Sequence, residues 1–204
     1  MHTSTETLSV LLLVRNAQGK LAREVERLIE TASELTSRFD VVIIDDASTD
    51  ATEEIAWELS ARHAQVQLVR QPRPLGPVAA LRTGLACTSG QWVLVSDGNG
   101  ASADEALSVL WRQRHGEIVP FGSRGADANW LERLLRSLRG QPPIAVRAGN
   151  AQGWRLLRRS ELGDLAPPPK TSGRTFLDRP RAPRIPLAAP TADRPGAAWH
   201  NATV

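Results

Sequence analysis

The stretch from Val41 to Asp50, VVIIDDASTD, holds the densest potential for chemistry in the chain. Four apolar, mostly β-branched residues predict a buried strand, and they stop abruptly at the adjacent carboxylates Asp45 and Asp46. Ionised groups at the tip of a buried strand are costly unless they meet a partner. The crevice beyond the strand ends of an α/β sheet is where ligands sit. Asp50 is expected to cap the helix that follows, with Glu53 three residues on completing a capping box. A second acidic tip, Asp97, follows the apolar run WVLVS and opens a glycine-containing turn over residues 97–101.

Alternating elements position these tips. Strands are expected at residues 8–14, 41–44, 66–69, 92–96 and 117–121. Between the first two, Leu21, Val25, Leu28, Ala32 and Leu35 recur at helical spacing. Further helices are expected at residues 52–62, 78–87 and 129–139. Another runs from a Ser102–Glu105 capping box through Trp111. A turn with three prolines and a glycine separates the third strand from the helix after it. This order predicts an α/β fold, a mostly parallel sheet flanked by helices.

The 204 residues suit one domain with a real core, expected over residues 8–165, plus an appendage. Residues 166–204 hold eight of the 14 prolines, with six basic and two acidic side chains, so the net charge of +3 is a property of this tail. A proline-rich segment with so little apolar periodicity is expected to be disordered. The body offers no basic surface of the kind that nucleic acid requires. The single cysteine, Cys87, excludes an internal disulfide, fits a reducing compartment, and is expected as a buried thiol on a helix. The apolar run at residues 10–14 has no charged leader and is too short for a signal or a span, so a cytoplasmic protein is expected. The segment NWLERLLRSLRG sets Trp130, Leu131, Leu134, Leu135 and Leu138 against Arg133, Arg136 and Arg139. Such a helix packs on a core or lies at a membrane surface. No histidine pair has metal-ligand spacing, and neither a nucleophile elbow nor a phosphate-binding G-x-x-x-x-G-K loop is present.

Several motifs, taken in order, resemble those of a family 2 glycosyltransferase with the GT-A fold. LSVLLLVRN resembles the family's first strand, and VVIIDDASTDAT its VVDDGSTDGT segment. RQPRPLGPVAALRTGLACTSGQWVLVSDGNG resembles the portion running from N-x-G through an alanine-rich helix to a strand that ends in D-x-D. FGSRG and QGWRLLRRSEL resemble segments of the polyprenyl-phosphate sugar synthases within that family.

The resemblance implies a nucleotide-sugar donor whose base or ribose is held by Asp45 or Asp46, with Val14 and Asn16 lining the same pocket and Arg82 facing the nucleotide. It places Asp97 and Asn99 at the D-x-D position, where Mg2+ or Mn2+ would bridge protein and diphosphate. It aligns Asn150 with the subgroup's catalytic acidic residue, and makes Arg124 and Arg155 candidates for contacting an anionic acceptor or donor phosphate. The acceptor implied is a polyprenyl phosphate at a membrane surface, whose ionised oxygen needs no general base.

The chain departs from the family pattern at Arg15, where an aromatic is usual, at Pro74, and at the amides Asn99 and Asn150. Two function classes therefore stay open. One is a sugar transferase; the other is a catalytically inactive relative that binds a nucleotide sugar or a partner protein. A receiver-like domain also pairs aspartates after a strand, but it needs a lysine at a later strand end, and Lys20 and Lys170 are the only lysines.

Overall fold

Near-continuous apolar runs along the central strands build a sheet with two covered faces. The computed structural model describes residues 4–96, 102–115, 145–146, 153–162 and 165. Its elements are β1 (Leu8–Val14), α1 (Leu21–Leu35), β2 (Phe39–Asp45), α2 (Thr52–Arg62), β3 (Val66–Arg70), α3 (Pro77–Cys87), β4 (Trp92–Ser96), α4 (Ala103–Gln113), β5 (Ala145–Val146) and β6 (Trp154–Arg158). The strand expected at 117–121, the helix expected at 129–139 and the tail at 166–204 lie outside the described residues, as do Asp97, Asn99, Arg124 and Asn150.

The strand order is β3-β2-β1-β4-β6-β5. The first four strands are parallel, with Val14 level with Asp45 and Leu11 level with Val95. β6 runs antiparallel against β4, and β5 antiparallel against β6. On one face Leu8, Val10 and Leu12 of β1 pack with Leu21, Val25, Leu28 and Ala32 of α1, and with α2 and α4. On the other, Leu11, Val42, Ile44, Val93 and Val95 pack against Ala80, Leu81 and Leu85 of α3. Helix α3 sits close to the sheet because Gly84 has no side chain; a Cβ there would lie 2.9 Å from Ile44 Cδ1.

Two helix starts differ from expectation. Ser102 is the N-cap of α4, but its side chain makes no capping hydrogen bond, so no capping box forms with Glu105. At α2 the N-cap is Ala51. Asp50, one residue earlier, accepts instead from the Thr52 amide at 3.1 Å and the Thr52 hydroxyl at 2.5 Å. Glu53 does not reach back; it pairs with Arg70. Cys87 is half-buried against the α3-side core.

Candidate functional site

The tips of β1, β2 and β4 lie side by side at one edge of the sheet, with β1 in the middle. Adjacent strands are about 4.8 Å apart, which puts the β2 and β4 tips about 10 Å from each other. The two loops leaving β1 and β2 are hydrogen-bonded into one unit. Asn16, with φ of 52°, donates its amide to Ser48 Oγ at 2.9 Å and accepts the Thr49 amide on Oδ1 at 2.9 Å. The Ala17 amide donates to Thr52 Oγ1 at 2.7 Å. Gln18 donates to Asp50 and accepts from the Ala51 amide. Asp50 is held below the usual carboxylate range, chiefly by the hydrogen bond from Thr52.

The paired aspartates have separate environments. Asp45 is fully buried; its Oδ1 accepts from the Ser48 amide at 3.0 Å and from the Ser48 hydroxyl, and Arg70 Nε lies 3.9 Å from Oδ2. This turn requires Ala47 to take a φ of 54°, a conformation that disfavours any side chain. Asp46 is partly exposed. Its Oδ1 accepts from the Leu75 amide at 2.7 Å, and its Oδ2 from the Gly76 amide at 3.1 Å, at the start of α3. The Gly76 amide also lies 3.3 Å from Oδ1, so Oδ2 is the oxygen that keeps an acceptor site for a ligand.

Val14, Asn16, Asp45 and Asp46 are thus brought together; the Asp46 amide donates to the Val14 carbonyl at 3.0 Å. Arg82 is exposed on α3. Arg155 is buried, opposite Val95 in the β4–β6 ladder, and donates from Nη1 to the Trp154 carbonyl at 2.7 Å.

The sequence reasoning passed over Ser48, whose place three residues after Asp45 is the spacing of a side-chain-closed turn. It also passed over a cavity of ≈ 510 Å³ at the same sheet edge, between the starts of α1 and α4, lined in part by Val14, Arg15, Lys20, Arg23, Arg27 and Trp154. Among the described residues no three His, Cys, Asp or Glu side chains cluster to hold a metal ion. No helix among them is long and apolar enough to cross a membrane.

Residues 9–117 match the family model described as glycosyl transferase family 2. Among curated proteins, the dolichyl-phosphate beta-glucosyltransferase ALG5A of Trichomonas vaginalis is 30% identical over 140 residues, covering 62% of this chain and 43% of its own length. A second from that organism, ALG5D, is 27% identical over 128 residues, covering 57% of this chain and 39% of its own. The chain therefore spans about two fifths of the length of these relatives. A mannosyltransferase from Pyrobaculum calidifontis, solved with GDP-Man and Mn2+, superposes with a TM-score of 0.50 at 20% identity, over 78% of this chain and 46% of that one. Glucosyl-3-phosphoglycerate synthase from Mycobacterium tuberculosis, solved with Mn2+, UDP and phosphoglyceric acid, gives 0.50 at 22% identity, over 76% and 56%.

Proposed function

The chain belongs to glycosyl transferase family 2 and has its GT-A fold, and on that premise we propose that it transfers a sugar from a nucleoside-diphosphate donor to a polyprenyl phosphate. The observation that carries this reading is the meeting of three strand tips at one edge. Asp46 is partly exposed on one side of β1, and on the other the chain leaves β4 directly into Asp97. The dolichyl-phosphate names of two relatives support the acceptor class.

The residues divide the work by their surroundings. Asp46 is the carboxylate left able to accept from a base N–H or a ribose hydroxyl, with Val14 beside it. Asp45, sealed by Ser48, fixes the turn that aims Asp46. Asn16 ties the β1 loop to the same turn. Arg82 is free of the core and suits a contact to the donor, whereas Arg155 is buried in the sheet and suits shaping the edge more than touching an acceptor. Arg124 remains a candidate for an acceptor phosphate, and Asn150 a polar contact near the reacting centre.

Asp97 and Asn99 offer a carboxylate and an amide oxygen, hard donors of the type that Mg2+ or Mn2+ takes, and β4 delivers the chain toward them at the ligand-facing edge. When bound, such a cation supplies Lewis-acid stabilisation of the departing diphosphate. In the transfer itself an acceptor phosphate oxygen bonds to the anomeric carbon as the bond from that carbon to the diphosphate oxygen breaks. The leaving group departs as the nucleoside diphosphate. Asn99 contributes no charge, so cation affinity is expected to be modest.

Turnover of nucleotide sugars with farnesyl phosphate and Mn2+ tests the proposal. Asp97→Ala should abolish product formation, and Asn99→Asp should raise it at limiting Mn2+. Undiminished turnover in Asp97→Ala would remove that residue from the chemistry. A wild-type chain and an Asn99→Asp variant that both bind donor without turnover would instead indicate a binding protein.

A further inference from the structure

The geometry points to the cavity between the starts of α1 and α4 as the seat of the acceptor's phosphate head, with Arg15, Lys20, Arg23 and Arg27 as its ligands. This inference rests on the transferase reading above and deepens it with three residues outside the family motifs, Lys20, Arg23 and Arg27, and with Arg15, where the chain departs from the family pattern.

Four cationic side chains line this one cavity. Lys20, Arg23 and Arg27 recur along one face of α1, and Arg15 enters from the end of β1. All four are exposed, and none makes an ion pair or a side-chain hydrogen bond among the described residues. Other arginines are engaged: Arg62 with Glu26, Arg70 with Glu53, Arg114 with Glu6, and Arg159 with the Gly90 carbonyl. Unpaired cations scattered over a surface are simply solvated. Four of them converging on a concavity create a positive potential that concentrates anions.

The backbone adds to that potential. Both α1 and α4 begin at the cavity, with Lys20 and Ser102 as their N-caps, and neither helix has a side-chain cap. At α1 the Lys20 and Leu21 amides donate to the Ala17 carbonyl, so what the two helix starts add is chiefly the positive end of the helix dipole. Among the described residues, the opposing charges that line the space are Glu24 and Asp104. The excess is therefore two positive charges, the complement of a phosphate monoester dianion. Burial raises the Glu24 carboxyl above its ordinary range, against the pull of Lys20 and with the push of Asp104.

Position separates acceptor from donor. The cavity is lined by Ser96, the last residue of β4 and the one before Asp97. Of the candidate donor residues only Val14 borders it; Asp46 hydrogen-bonds the start of α3, and Arg82 stands on α3. A phosphate held here and a donor held beside Asp46 would approach the β4 tip from opposite sides of β1, as transfer between them demands. Trp154 with Leu12 and Leu13 gives the cavity an apolar lining suited to the first isoprene units beyond the phosphate.

The experiment uses the full chain and farnesyl phosphate as probe, with farnesol, inorganic phosphate and a UDP-sugar/GDP-sugar pair with Mn2+ as further arms. The variant Lys20→Ala/Arg23→Ala/Arg27→Ala removes only exposed side chains, and its melting temperature verifies folding. Farnesyl phosphate should bind the wild type in a salt-dependent manner, and the triple variant should bind it roughly 20-fold more weakly. Donor affinity should stay within about twofold, because the three residues do not touch the donor side. Arg23→Lys/Arg27→Lys should recover part of the loss, since charge returns without the planar fork. Unchanged farnesyl phosphate affinity in the triple variant would overturn the inference. Equal losses of donor and acceptor binding would also do so, assigning the cations to the donor diphosphate. Inorganic phosphate binding as tightly as farnesyl phosphate would remove the lipid from the account. If the wild type binds farnesyl phosphate through these residues yet shows no turnover, the cavity assignment stands and the transferase reading fails.

Discussion

The two edges of the sheet treat charge in opposite ways. At the edge where β1, β2 and β4 begin, Glu6, Asp40, Arg114 and Arg159 are all engaged by neighbours within the fold. Glu6 accepts from Trp92 Nε1 at 3.1 Å, from Arg114 Nε at 2.7 Å, and pairs with His115 Nε2 at 3.0 Å. Arg114 and Arg158 also lie over the rings of Trp111 and Trp92, at 4.2 Å and 4.7 Å. Asp40 accepts from the Ser9 hydroxyl at 2.8 Å, Ser9 accepts from the Gly90 amide, and Arg159 holds the Gly90 carbonyl. At the edge where the same strands end, Arg15, Lys20, Arg23 and Arg27 line a cavity with no ion-pair partner among the described residues, and Asp46 is partly exposed. The first set serves the fold; the second is available to a ligand. The contrast predicts that substitutions at the closed edge change stability with little effect on binding, and that removing a charged side chain at the open edge does the reverse.

The largest effect should come from Gly90→Ala. A Cβ at Gly90 would lie 2.5 Å from the Ser9 backbone nitrogen, and backbone cannot yield as a side-chain tip can. A loss of about 3 kcal/mol is expected in urea unfolding, with the donor affinity of the remaining folded protein unchanged. Weakened donor binding without lost stability would erase the distinction between the edges.

A smaller effect follows from Asp40. Burial raises its carboxyl to about 6 from an ordinary value of 3.8, against the Ser9 hydrogen bond and the Arg159 charge. Because the folded pKa is the higher one, the native state holds the proton more tightly between about pH 4 and 6, and stability falls as pH rises through that window. The fall should be on the order of 2–3 kcal/mol. Asp40→Asn should flatten the stability profile there. Glu6 acts below this range: burial would raise it, but hydrogen bonds from Trp92, Arg114 and His115 hold it at about 2. Its contribution is complete above about pH 4.5 and is lost only as pH falls toward 2, so it leaves the Asp40 window clear. A profile unaltered in Asp40→Asn would contradict this assignment.

The smallest expected change is a gain at the open edge. Ala47 holds a φ of 54°, where the family segment that it resembles carries glycine. Ala47→Gly should add about 1 kcal/mol by relieving that conformation, seen as a higher melting temperature with the Asp45–Ser48 turn retained.

The parallel core was legible because its signals are local. The runs of β1 and β4 and the span of α2 follow from apolar spacing alone, and they stand at the expected residues. β6 escaped because a strand of five residues with arginines at 155 and 158 has too short a pattern, and because its burial depends on β4 beside it. Helix starts escaped for a related reason: Ser102 has a capping residue's type and backbone, yet its side-chain geometry is set by tertiary surroundings. The Asp45–Asp46 pair was visible as a strand tip, but which carboxylate is sealed depends on the left-handed Ala47 and the Ser48 hydroxyl. Lys20, Arg23 and Arg27 were readable as one helix face; that α4 stands across from them, closing a cavity, is a long-range fact.

The central claim is that the strand tips around Asp46 and Asp97 share one cleft for an activated sugar. Calorimetric titration of UDP- and GDP-sugars, with and without Mn2+, into wild type, Asp46→Ala and Asp97→Ala tests it most directly. The account predicts Mn2+-enhanced binding by the wild type, weakening of roughly tenfold or more in Asp46→Ala, and loss of the Mn2+ enhancement in Asp97→Ala. Donor binding that is indifferent to both substitutions would contradict it.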